Sequence, residues 1–164
     1  MKLENLTKLY VEQLKDLYSA ETQVVEALPK MAKAAHSLQL QQAFEQHLAE
    51  TKTHRQRLEQ IFEGLDYAPG GQKCKGMEGL IKEGEEHIKQ EGDPETIDAG
   101  LIAAAQRVEH YEIAGYGTVH QYAVLLNDTA AAGLLQATLD EEYAADKKLT
   151  KLSESINVQA MQTS

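Results

Sequence analysis

The chain has 164 residues, 42% of them hydrophobic, which suits one domain with one buried core. Its 26 acidic against 16 basic residues leave a formal net charge of -10, which repels phosphate and argues against nucleic acid as a partner. A lone cysteine excludes an internal disulfide, no apolar run approaches the roughly 18 residues of a membrane span, and the opening MKLENLTKLYVEQLKDLYSAE lacks the apolar stretch of a secretory signal, so a cytoplasmic protein without membrane attachment is expected.

A first helix is predicted from about Leu3 to His36, with Leu14, Leu17, Tyr18, Val25, Leu28 and Ala32 on one face. Side chains advance by about 100° per residue, which puts Glu21 within about 20° of the centre of that face. Pro29 cannot donate to the carbonyl four residues back, so a kink is expected there. A second helix, from about Leu38 to Leu65, has a stripe of Phe44, Leu48, Leu58 and Leu65; His47, Thr51 and His54 fall inside it and Glu50 at its edge. Glycine and proline then cluster in YAPGGQKCKG (67–76) and EGDP (91–94), and between them MEGLIKEGEEHIKQ carries apolar residues at helical spacing, which predicts a short helix over 77–90. Cys74, in the first of these clusters, reads as a passive loop thiol.

Asp93 followed by Pro94 suits an N-cap and first helical position, opening a long helix from about Pro94 to Leu126. Its face of Leu101, Ala105, Val108, Tyr116, Val119 and Ala123 has Glu112 near the centre and Glu109 on the shoulder. The last helix, from about Thr129 to Ile156, has Glu142 and Asp146 among Leu135, Leu139, Leu149 and Ile156, with Glu141 toward the edge. One long crossover between the second and third long helices distinguishes the ferritin-like bundles from simple up-down ones, so the expected fold is an all-α, ferritin-like four-helix bundle forming a single domain over 1–164.

Every long helix thus turns a polar group into its apolar stripe. Carboxylates converging in a core repel one another or take up protons unless cations lie between them, and no lysine or arginine sits in the central stripes nearby. A pair of metal ions answers that need. A single inward glutamate is commonly just hydrogen-bonded, and a histidine on an apolar face is usually a core residue; the agreement of four helices is what favours ligands. The halves also match at a constant offset of 91 residues, pairing Glu21 with Glu112 and Glu50 with Glu141. Periodicity favours Glu142 as the ligand of the last helix and the repeat favours Glu141.

The runs YSAETQ (18–23), HLAET (47–51), CKGMEGLI (74–81), LIAAAQRVEHYEIAGYGT (101–118) and LDEEYAADKKLT (139–150) resemble the YciE/YciF group of bacterial ferritin-like stress proteins, nearer its YciF members, over almost the whole chain. The resemblance implies a homodimer and kinship with rubrerythrin and other dinuclear metal proteins. Rubrerythrin-like sites take a glutamate from one helix of each pair and a Glu-x-x-His from the other, with an extra glutamate three residues from the first, as Glu109 is from Glu112. This chain departs from that pattern: Thr53 follows Glu50 by three residues, and Ala144 and Ala145 stand three after Glu141 and Glu142, so His47 or His54 is the available substitute. Ligand candidates are therefore Glu21, Glu50, Glu109, Glu112 and Glu142, with Glu141, His47, His54 and Asp146 in reserve. Hard carboxylate donors with few imidazoles suit two iron or manganese ions, with peroxide consumption or iron oxidation as the chemistry and a small oxidant such as peroxide as substrate. The alternative is a metal-free helical dimeric scaffold or interaction module of the stress response, its polar stripe a protonated hydrogen-bond network.

Overall fold

The computed structural model describes residues 4–162, and its regular structure is five helices: α1 (Leu6–Ala34), α2 (Leu38–Gly64), α3 (Lys75–Ile88), α4 (Pro94–Leu125) and α5 (Thr129–Gln162). Leu3, expected to open the first helix, lies outside the described residues. Side-chain caps place the starts. Asn5 accepts from the Lys8 amide at 2.9 Å and begins α1, and Asp93 accepts from the Thr96 amide at 3.0 Å and begins α4 with Pro94 as its first residue. Cys74 is a buried cap and not a passive loop thiol: its Sγ accepts from the Met77 amide at 3.3 Å and starts α3 two residues before the predicted position. α1 continues through Pro29 to Ala34. α5 runs six residues past Ile156, because NVQAMQ contains no glycine or proline to stop it.

α1 packs on α2 and α4, and α5 packs on α4 and α2, so the four long helices close a ring. The crossover between α2 and α4 carries α3 along the outside, against α1 and α4. The short link from α1 to α2 is tied down by Asp98, a buried carboxylate of α4 that accepts from the His36 and Ser37 amides at 2.8 and 2.7 Å. Two backbone donors with no helical partner are satisfied in this way, and the α1–α2 hairpin is fixed against α4. Among the described residues, no helix is long and apolar enough to cross a membrane.

The apolar core is in two parts. One, around Val24, Leu28, Phe44, Leu101, Ala105 and Leu149, fills the end nearest the α1–α2 link; the other, around Leu14, Leu17, Leu58, Phe62, Tyr116 and Leu135, fills the opposite end. On each long helix the chain passes from one part to the other across a short polar step. α1 and α4 approach closely at Gly115, where an added Cβ would lie 2.6 Å from Cδ2 of the buried Leu17, while two residues on, a Cβ at Gly117 would meet nothing within 4 Å.

Alanine should therefore have opposite effects at the two positions. Gly117→Ala should stabilise by about 0.5–1 kcal/mol through reduced backbone entropy. Gly115→Ala makes the same gain but overpacks a site whose cost is about 1–3 kcal/mol, so it should be the less stable protein. Urea unfolding of the two variants beside the parent checks the pair; Gly115→Ala at or above parental stability would mean that the α1–α4 contact is looser than described.

Candidate metal centre

The polar steps of the four helices meet in one layer between the two parts of the core. α1 contributes Glu21, α2 contributes His47 and His54, α4 contributes Glu109 and Glu112, and α5 contributes Glu142, all of them buried. On α2, His47 and His54 are seven residues apart and so share a face, with Thr51 between them donating its hydroxyl back to the His47 carbonyl at 2.8 Å. The side chains form two groups. One ligand atom each from His47, Glu109, Glu112 and Glu142 lie within 4.8 Å of one another, and so do atoms of Glu21, His54 and Glu142. Glu142 belongs to both.

Within the layer the polar atoms approach one another without pairing. His47 Nε2 is 3.1 Å from Glu109 Oε1, and His54 Nδ1 is 3.0 Å from Glu142 Oε1 and 3.6 Å from Glu21 Oε1. Yet nine buried atoms of these six residues lack a hydrogen-bond partner: Oε2 of Glu21 and Glu109, both oxygens of Glu112 and Glu142, both ring nitrogens of His47, and Nδ1 of His54. An unpaired buried polar atom costs about 1–3 kcal/mol, so such a layer needs a species that accepts many lone pairs at once. A divalent cation does that, and carboxylate oxygen with imidazole nitrogen is a donor set that binds one.

A second ring of side chains holds the first in place. His54 Nε2 is 2.8 Å from Glu141 Oε2, and Arg57 grips the same carboxylate with hydrogen bonds of 2.6 and 2.9 Å. When neutral, with Nε2–H donating to Glu141, His54 presents an Nδ1 lone pair to Glu21 and Glu142, the arrangement by which an outer carboxylate orients a metal-binding imidazole. Glu50 lies behind His47 in the same manner, with Oε2 3.5 Å from His47 Nδ1 and Oε1 accepting from Gln46 at 2.8 Å. The Tyr116 hydroxyl, at the start of the neighbouring apolar part, donates to Glu21 Oε1.

Of the residues singled out in the sequence, Glu21, His47, His54, Glu109, Glu112 and Glu142 thus come together, and the repeat-related pair Glu50 and Glu141 stand outside, one behind each histidine. Asp146 is also outside, accepting from Gln106 at 3.2 Å and lying 3.4 Å from His110. Sequence reasoning missed Arg57, whose single clue is its place three residues after His54 on the same side of α2.

Without a cation the layer binds protons. Burial pushes Glu112 well above the usual carboxylate range, and the facing Glu21, Glu142 and Glu109 push it further. Glu142 rises to about 7, through burial and the repulsion of Glu21 and Glu109, against the pull of His54. Burial works against charge on both histidines, but Glu109, Glu50 and Glu142 more than offset it at His47, and Glu142 and Glu21 hold His54 up to about 10. The outer carboxylates go the other way: hydrogen bonding to Arg57 lowers Glu141, and the nearby His47 lowers Glu50.

Comparison with known proteins agrees with this fold. The family described as "Domain of unknown function (DUF892)" matches residues 5–162. Protein YciF of Escherichia coli K12 is 45% identical over 154 residues, covering 93% of each chain. The crystal structure of the E. coli stress protein YciF superimposes with a TM-score of 0.91 at 44% identity, over 93% of this chain and 97% of that one. A ferritin-like, diiron-carboxylate protein from Bacillus anthracis, at 18% identity, superimposes with a TM-score of 0.71 over 91% of this chain and 98% of its own, which shows the shared ferritin-like fold.

These proton affinities make the stability of the metal-free protein depend on pH. Glu112 and Glu142 have raised values, so their contribution is full below the unfolded value of 4.5 and is lost as pH climbs, for Glu142 through about 7. His54 contributes fully below 6.5 and loses its contribution as pH rises through about 10. Glu50 and Glu141, with lowered values, contribute above 4.5 and lose their contribution as pH falls below it. Chelator-treated protein should therefore melt highest in mildly acidic buffer and at falling temperatures as pH rises. Saturation with a divalent ion favours the ionised carboxylates and should reverse the slope between pH 4.5 and about 7. Parallel melting curves with and without metal would show that cations do not balance these charges.

Proposed function

The chain belongs to the family described as Domain of unknown function (DUF892), and from that premise we propose that it is a cytoplasmic ferritin-like stress-response protein holding two iron or manganese ions in its carboxylate layer and consuming peroxide or oxidising iron. The observation that carries this reading is the set of nine unpartnered ligand-type atoms in a layer with no lysine or arginine side chain among them. His47, Glu109 and Glu112 would hold one ion, Glu21 and His54 the other, and Glu142 both. Four carboxylates with two imidazoles form a hard donor set that suits iron or manganese over zinc or copper. Bound there, two such ions would supply the redox chemistry, two electrons in all, by which peroxide and two protons become two waters.

The chain's own contribution is preorganisation and proton balance. Glu112 and Glu142, which hold protons in the metal-free state, release them when cations enter, and the Arg57–Glu141 pair keeps His54 in the tautomer that faces the layer. Tyr116 donates to one oxygen of Glu21 and leaves the other free. Assembly as a homodimer is part of the same proposal, and light scattering should give twice the 18.2 kDa of one chain.

The metal-free scaffold reading draws on one feature, the close approach of both histidines to carboxylates, which lets imidazolium ions neutralise part of the layer. Metal loading separates the two. Protein treated with chelator, reloaded with iron(II) or manganese(II) and desalted should retain about two ions per chain. Glu142→Gln should lose both ions, because it serves both groups, whereas Asp146→Asn should load like the parent; helical content should stay near parental in each. Retention near zero for both metals in the parent would leave the scaffold as the surviving reading.

A further inference from the structure

A cavity of about 140 Å³ opens between α2 and α5 and reaches the metal layer from the side. Its floor is His47 and Glu109, both buried, each with unpartnered ligand-type atoms. Its wall on the α5 side is Ala144 and Ala145. Ala145 follows Glu142 by three residues, so it lies on the same side one turn further along, and its small side chain leaves that space open. At the mouth Lys148 of α5 reaches across to α2 and donates to Gln46 Oε1 at 2.6 Å, while Gln46 Nε2 donates to Glu50. The ammonium's direct partner is a neutral amide oxygen, and the Glu50 carboxylate, which also lines the cavity, is bonded to the other end of that amide.

We propose that this cavity is the port through which a small anion reaches the metal centre, with Ala145 keeping it open and Lys148 selecting for negative charge. The proposal rests on the dinuclear reading above and adds to it the class of ligand and the side of approach. Space, floor and mouth agree. The volume admits a ligand of a few non-hydrogen atoms and no more; the floor offers the edge of the donor set; at the mouth the Lys148 ammonium supplies an attraction for an anion beside the Glu50 carboxylate. The other cavity that reaches His47 and Glu109, between α1, α3 and α4, is about 30 Å³ with walls such as Val24, Leu28, Leu80 and Ile88, and its cation Lys30 is already paired with Glu85 at 2.8 Å.

Azide tests the port directly. Protein loaded with iron(II), oxidised in air and titrated with azide at low ionic strength should bind it, as followed by absorbance and calorimetry. Ala145→Phe fills the cavity and should weaken azide binding by about tenfold or more while metal content stays parental. Lys148→Met, an exposed change that leaves the core alone, should weaken it by about threefold at low salt, with the difference disappearing as salt screens the charge, and Lys148→Arg should restore it. Azide affinity unchanged in both Ala145→Phe and Lys148→Met overturns the port but leaves the metal centre standing. Slower iron(II) uptake in Ala145→Phe, with unchanged azide affinity, also overturns it, by making the cavity a cation path. A parent that retains no metal removes the centre and the port together.

Discussion

Four carboxylates and two imidazoles share one buried layer, and the rest of the bundle is arranged around the cost of keeping them there. An ionised carboxylate removed from water is tolerated where charge or hydrogen bonds compensate it. Here the compensation is divided. Two apolar parts of the core, one on each side, exclude water and set the spacing of the four helices, while the layer between them is left with lone pairs that no side chain satisfies.

Outside the layer, polar groups are paired closely. Asp98 caps two backbone amides of the α1–α2 link, Arg57 and His54 share Glu141, and Gln46 serves Glu50. The contrast matters physically. Among the described residues nine convergent side-chain atoms of the layer lack partners, against two buried atoms elsewhere, the Tyr10 hydroxyl and Arg55 Nε, so the unmet demand is concentrated in one place. Proton uptake meets part of that demand, through the raised affinities of Glu112 and Glu142 and the protonated histidines. Protons and cations therefore compete for the same atoms, which couples occupancy of the layer to the stability of the fold.

The crossover does more than connect. α3 lies along α1 and α4 and seals that flank with Met77, Leu80, Ile81 and Ile88, reducing the space there to a narrow apolar cavity. On the α2–α5 flank there is no fifth helix, and the two small residues Ala144 and Ala145 leave a wider opening. The asymmetry of the two flanks is a consequence of topology, since a single long connection can cover one side only.

Much of this was legible in the residue order. Helical periodicity is a local property, so the stripes of α1, α2, α4 and α5 could be drawn from spacing, and the central positions of Glu21 and Glu112 followed from the same angular arithmetic. Glycine and proline clusters marked both ends of α3, and the single long connection pointed to the ferritin-like class that the superpositions show. What periodicity leaves open is rank near the edge of a stripe. Glu141 and Glu142 differ by one step of about 100°, and which of them enters the layer depends on how α5 is rotated against α2 and α4. Arg57 settles that by holding Glu141 to the α2 side. Asp146 was placed by neighbours on α4 in the same way and Glu50 by Gln46 and His47 of its own helix, and the histidines, ambiguous as sequence, acquire direction from the carboxylates behind them. Sequence alone determined which face of each helix is buried, because that depends on residues a few positions apart. The tertiary structure decided which polar groups share an atom's-width of space, because that depends on the register and rotation of helices far apart along the chain.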